Sequence, residues 1–130
     1  MLSHHEAICL TLAPLVEVAR ADGEVDQSER RAVLDSARTW GLPRWSRKLD
    51  WLEAWLEWGV PEDVHSRWRD QMRDLKRRLS AERWIRIRTS LLQCAFDVAE
   101  ATGGSVGPTA TVSVEERRQI ARLRDCLDAI

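Results

Sequence analysis

The sequence lacks tyrosine and has a single phenylalanine, although it contains seven tryptophans. Tryptophan therefore supplies nearly all the aromatic surface that this chain of 130 residues can bury. An excess of charge of one sign is lacking too, because 20 Lys and Arg residues almost balance 21 Asp and Glu residues. The resulting net charge of −1 argues against a protein that is basic overall and coats nucleic acid.

Cysteine is sparse, with Cys9, Cys94 and Cys126 far apart and no CxxC pair. An odd, widely spaced set excludes a disulfide framework and predicts reduced thiols in a cytoplasmic protein. No apolar run approaches the ~20 residues of a membrane span. The N-terminus also lacks the basic start and apolar core of a signal peptide. We expect no membrane insertion, while peripheral contact with a membrane remains open.

Strand signals are absent as well, since apolar residues recur at spacings of three and four rather than two. This periodicity predicts an all-α chain that forms a single compact helical domain over residues 1–130, with about six to seven helices. Pro14 is expected to kink or divide the first helix. The predicted helices run from about 2–21, 27–40, 43–58, 62–79, 81–98 and 114–130, and the segment 102–111, TGGSVGPTAT, is predicted to be a flexible loop.

An internal repeat is indicated by two pairs of similar segments. VARADG at 18–23 is similar to VAEATG at 98–103, and EVDQSERR at 24–31 is similar to TVSVEERR at 111–118. The second copy carries seven extra residues, 104–110. We predict a duplicated helix-loop-helix with halves at about 8–40 and 88–130, around a Trp-rich middle at 43–80. Its two loops should occupy related positions about a pseudo-two-fold axis.

The first loop resembles the second half of a calcium-binding EF-hand loop. Asp22, Gly23 and Glu29 match the fifth, sixth and twelfth positions of such a loop. Val18 and Arg20 occupy the first and third positions, where neither side chain can bind a cation. A complete EF-hand is therefore excluded. A cluster of carboxylates remains, and it is able to hold a hard cation weakly, with water completing the coordination shell.

Two interpretations of these acidic residues stay open. Asp26 and Glu29, like Ser113 and Glu116, have the spacing of a helix capping box, in which the side chains satisfy free backbone N–H groups. Alternatively, Asp22, Asp26, Glu29 and Glu116 are candidate ligands for a divalent cation such as Ca²⁺, Mg²⁺ or Mn²⁺. Thr102 stands in the second copy where the first has Asp22, so a matched pair of metal sites is not expected.

These segments, VARADGEVDQSERRAV and its weaker echo VAEATGG…TVSVEERRQI, resemble the TerB-like family. That family includes tellurite-resistance proteins and the N-terminal regions of some DnaJ-like co-chaperones. The resemblance covers about a third of the chain and implies a duplicated all-helical domain with a cytoplasmic role in metal or oxyanion stress. It also implies an acidic patch that binds metal ions, with Asp22, Glu29 and Glu116 at the family's acidic positions. Thr102 and the insertion at 104–110 depart from the family pattern.

The Trp-rich middle suggests a surface for a partner. Trp51, Trp55 and Trp58 form one stripe on the predicted helix, separate from a second stripe that includes Trp45 and Leu49. If the first stripe is exposed, it marks an interface with a protein partner or a second copy of the chain. If it is buried, it belongs to the core. Docking at a membrane surface is a lesser alternative, favoured by nearby basic residues.

The segment 67–88 is locally basic and has two tryptophans interleaved, which suits contact with phosphate backbones or anionic lipid. Arg73, Arg77 and Arg78 are the candidate contacts. The alternative is a solvated helix face that pairs with acidic residues elsewhere in the chain.

No P-loop, GxSxG, HExxH or GxGxxG motif occurs, so we predict a protein that is not an enzyme. The functional hypothesis is a TerB-like interaction module in a stress-associated assembly, with a weak cation site. The alternative is a helical scaffold or nucleic-acid-associated module that acts through segment 67–88.

Overall fold

The computed structural model describes residues 3–101 and 112–130, and all regular structure in these residues is helical. The prediction of an all-α fold is thus confirmed. Within the described residues the chain forms seven helices, namely α1 His4–Thr11, α2 Ala13–Ala19, α3 Gln27–Thr39, α4 Leu49–Trp58, α5 Glu62–Arg78, α6 Ala81–Glu100 and α7 Val114–Asp128. None of these helices combines the length and the apolar character that crossing a bilayer requires. The loop predicted at 102–111, with Thr102 and the insertion, lies outside the described residues.

Pro14 divides the first predicted helix rather than bending it. It occupies the first turn of α2, where a missing backbone N–H costs nothing, and α1 ends just before Leu12. Division lets α2 become the central helix of the fold. Apart from Glu17 its residues are buried, and α2 packs against each of the other six described helices.

The expected start of the Trp-rich helix at Pro43 was wrong. The Ser46 N–H donates to the Pro43 carbonyl and the Lys48 N–H to Ser46 Oγ, so this stretch forms turns and α4 begins only at Leu49. Trp45 consequently lies outside α4, with 79% of its surface exposed, and does not continue a stripe along it.

The two segments of the predicted repeat occupy corresponding places in the packing. The hairpin of α2 and α3 packs on the hairpin of α6 and α7, with α2 against α6, α2 against α7 and α3 against α6. Residues paired in the repeat have matching environments, since Val18, Ala19, Val98 and Ala99 are all fully buried. The duplication itself stays a prediction. The packing brings the first turns of α3 and α7 together.

Candidate functional site

The corner between α2 and α3 is built by hydrogen bonds within the first loop. Gly23 has φ of +92°, a conformation that residues with a Cβ rarely adopt. Asp22 Oδ1 accepts the Glu24 N–H at 3.2 Å. The Asp26 side chain accepts the Glu29 N–H at 2.8 Å, and Glu29 Oε1 accepts the Asp26 N–H at 3.2 Å. The predicted capping box is therefore present at the start of α3.

The start of α7 is capped in the same way. Ser113 Oγ accepts the Glu116 N–H at 3.1 Å, and Glu116 Oε1 accepts the Ser113 N–H at 3.1 Å. The cap also explains why the glutamate points back toward the loop rather than outward into water. Each glutamate thus has one carboxylate oxygen fixed by its own helix.

Helix capping does not explain the surroundings of the other carboxylate oxygen, Oε2, of Glu29 and Glu116. Glu29 is 2% exposed and Glu116 is 0% exposed. Oε2 of each is buried and accepts no hydrogen bond from a described residue. Such an atom costs about 1–3 kcal/mol, more when it is charged, unless a proton or a cation reaches it. Capping alone requires neither the burial nor the second oxygen.

The structure brings Asp22, Glu29 and Glu116 together. One carboxylate oxygen from each lies within 4.8 Å of the others, with Asp22 on the exposed side and the two glutamates inside. Asp26, also predicted as a ligand, is outside this cluster and caps α3 instead. The three-residue cluster therefore combines the first loop with the beginning of the second hairpin's last helix. The repeat alignment pairs Glu29 with Glu116, and this pairing is the sequence signal that points to the cluster.

The pKa of Glu29 reflects this crowding. The pKa of Glu29 is raised to about 8, chiefly by burial and also by the neighbouring Glu116 carboxyl, against a lowering by the Asp26 N–H. Two buried carboxylates cannot hydrogen bond to each other unless one carries a proton. The site therefore has two ways to relieve its charge, a shared proton or a bound cation.

Carboxylate oxygens are the ligands that hard divalent cations prefer. The clustered oxygens of Asp22, Glu29 and Glu116 are close enough together to contact one ion, and Asp22 is the exposed member of the three. Three side chains do not fill the six or more positions of Ca²⁺ or the octahedron of Mg²⁺, so water has to complete the shell. That limit fits the weak affinity expected from the sequence.

Arg20, a residue of the same corner, has a role that the sequence did not indicate. Its guanidinium donates to the Leu56 carbonyl at 2.7 Å and to the Glu57 carbonyl at 3.2 Å, across the end of α4. A Cβ on Gly59 would sit 3.6 Å from this guanidinium. Arg20 therefore connects the corner that holds the acidic cluster to α4 through hydrogen bonds.

The predicted Trp stripe divides between core and surface. Trp51 and Trp55 are half-buried against the core, with ring centroids 6.3 Å apart. Trp58 is 82% exposed. Lys48 Nζ lies 4.5 Å from the centroid of the Trp51 ring, a cation–π contact. The stripe is thus neither wholly core nor wholly surface.

The predicted basic contacts on α5 are exposed but paired with acids on their own helix. Arg73 lies 3.5 Å from Asp70, while Arg77 and Arg78 lie 3.3 and 2.9 Å from Asp74. Such pairing lowers the positive potential that a phosphate backbone would meet. It favours the interpretation of this face as a solvated helix surface.

A cleft apart from the acidic cluster is lined by residues that are distant in the chain. It has a volume of about 850 Å³ and lies among α2, α5 and α7. Within it Glu17 bridges His65 Nδ1 and Gln119 Nε2, each at 3.2 Å. The His65 ring is half-buried and also stacks on Trp68. No signal in the sequence pairs these residues.

In comparisons with protein-family models, curated proteins and solved structures, none matches this chain. The resemblance to the TerB-like family therefore stays a prediction. The geometry of the acidic cluster and of α4 is what supports a function.

Proposed function

We propose that this chain is a non-enzymatic interaction module that holds a divalent cation between its two hairpins. The ion would bind Asp22 on the solvent side and Glu29 and Glu116 inside, with water completing its shell. The proposed setting, a stress-associated assembly in the cytoplasm, rests on the resemblance to the TerB-like family alone.

The observation that carries the proposal is the pair of buried Oε2 atoms of Glu29 and Glu116, which accept no hydrogen bond from the described residues. Helix capping uses only the Oε1 atoms. A cation would satisfy both remaining oxygens and offset the repulsion between the carboxylates. Because the ligands come from both hairpins, the ion would also hold α3 and α7 together.

Isothermal titration calorimetry with Ca²⁺, Mg²⁺ and Mn²⁺ tests this proposal. We expect one site per chain, with affinity that increases from pH 6 to pH 8.5 because binding displaces the proton that Glu29 holds in this range. Glu116→Gln should weaken binding by about tenfold or more, since ligand charge sets the affinity of such sites.

Glu115→Gln is the matched control, because Glu115 is the exposed neighbour on the same turn of α7. This variant should bind as the wild type does. Absence of heat and of any thermal shift with all three ions would contradict the cation site. Equal weakening in the two variants would show that only general negative charge is involved.

A further inference from the structure

The solvent side of α4 carries two rows of different chemistry. At 100° per residue the tryptophans of the stripe, Trp51, Trp55 and Trp58, fall within an arc of about 60°. We call this arc the Trp face. A second arc of about 60° holds the exposed carboxylates of Asp50, Glu53 and Glu57 and is here named the acidic row. Exposed Ala54 lies between the two rows, so they form one continuous surface.

The Trp face is incompletely covered by the chain itself. Trp58 leaves most of its ring in water, and Trp55 beside it is only half-buried. Large exposed aromatic side chains on a small domain mark contact sites, because burying them against a partner releases water from apolar surface. Tryptophan is also among the residues that contribute most to binding at protein interfaces.

The acidic row contains carboxylates that no ion pair with the described residues neutralises. Glu57 pairs with Arg30 at 3.4 Å, whereas Asp50 and Glu53 form no ion pair with the described residues. The surface already accepts one cationic side chain, since Lys48 lies over the Trp51 ring. Both rows therefore favour cationic groups, one through ion pairs and the other through the faces of the indole rings.

We propose that α4 docks a basic amphipathic helix of a protein partner. Its apolar residues would pack on Trp55 and Trp58, and its Arg or Lys residues would pair with Asp50 and Glu53. This inference deepens the proposed function, on whose interaction role it rests, by giving the partner's chemistry. An anionic membrane fits less well, because the acidic row would face lipid headgroups of like charge.

The test uses the whole chain and a synthetic helical peptide of about 18 residues with leucine on one face and arginine on the other. A control peptide has the same sequence with glutamate in place of every arginine. Fluorescence anisotropy of the labelled peptides is measured at low and physiological salt. We expect binding of the arginine peptide only, weakened by salt because ion pairs at exposed positions are screened.

Two substitutions on α4 should each weaken this binding by about tenfold, Trp58→Ala by removing an apolar anchor and Glu53→Lys by reversing the charge. Phe96→Ala and Glu100→Lys are the matched controls on α6, where both residues are exposed, and they should leave binding unchanged. All four positions are on the surface, so the folded state is retained and circular dichroism verifies it.

Failure of the arginine peptide to bind, or binding that survives both α4 substitutions, would overturn the inference. It would also be overturned if Trp58→Ala instead abolished binding to vesicles of phosphatidylcholine with phosphatidylserine, or abolished self-association in sedimentation velocity. Those results would assign the Trp face to a membrane or to a second copy. The cation site is scored separately by Glu116→Gln, so either proposal can fail without the other.

Discussion

Glu29 has surroundings that make its charge depend on pH within the neutral range. Because the folded protein raises its pKa to about 8, from about 4.3 in an unfolded chain, the folded state binds an extra proton between these values. The stability from this proton is complete below about pH 4 and is lost as the pH rises through 8. In the absence of divalent cations the free energy of unfolding should therefore fall between pH 5 and pH 8.

Glu29→Gln should remove most of this dependence. The amide oxygen can still accept the Asp26 N–H, and the amide nitrogen can donate to the Glu116 carboxylate, which wild-type Glu29 can do only when protonated. We expect the variant to be more stable than the wild type by about 1–3 kcal/mol at pH 8 and nearly equal to it at pH 5.

Urea denaturation at the two pH values, with chelator present, measures the difference. Identical pH dependence in the two proteins would mean that Glu29 titrates near its ordinary pKa, and that the pair is not desolvated as described here.

At the scale of the helix, α4 depends on a residue outside it. The side chain of Arg20 satisfies two carbonyls at its C-terminal end, which no N–H of the same helix can reach. Arg20→Ala should lower the free energy of unfolding by about 1.5–3 kcal/mol, the range for hydrogen bonds to a charged group. Arg20→Lys keeps the charge but replaces the planar guanidinium with a more strongly hydrated ammonium, and should recover only part of the loss.

Arg31→Ala serves as the control, since Arg31 is exposed on α3 and should change stability by less than about 0.5 kcal/mol. Thermal unfolding followed by circular dichroism gives the comparison. If Arg20→Ala proved as harmless as the control, Arg20 would not join the acidic corner to α4.

Most helices could be predicted because residues next to their ends determine where they begin. Asp26, Ser80 and Ser113 each precede a segment whose apolar residues have helical spacing, and each caps the helix that follows. The start of α4 could not be placed this way, since Leu49 follows Lys48, which makes no side-chain cap. Turn hydrogen bonds around Ser46 decide that boundary, and no spacing of apolar residues reports them.

At the scale of the whole molecule, the candidate site needs both hairpins. Asp22 and Glu29 could be predicted to share a site because they are close in sequence. The repeat pairs Glu116 with Glu29 and so pointed to Glu116 as well. Neither signal could predict that both glutamates would be buried with Oε2 atoms facing no donor, because that depends on how α3 and α7 pack. The contact of His65 with Glu17, 48 residues away in sequence, was unpredictable for the same reason.

The same packing explains why Asp26 differs from the other predicted ligands. Its carboxylate satisfies the first turn of α3, so this predicted ligand serves the backbone instead. Spacing alone cannot separate a capping carboxylate from a coordinating one, because both lie at the start of a helix.

The central claim is that carboxylates from the two hairpins converge on one ion. Its most direct test is anomalous diffraction from crystals of the full chain grown with Mn²⁺. We predict a single anomalous peak bonded to oxygens of Asp22, Glu29 and Glu116. Crystals that contain Mn²⁺ elsewhere, or nowhere, with the two glutamates hydrogen bonded directly to each other, would contradict the claim and leave a proton as the only partner of the pair.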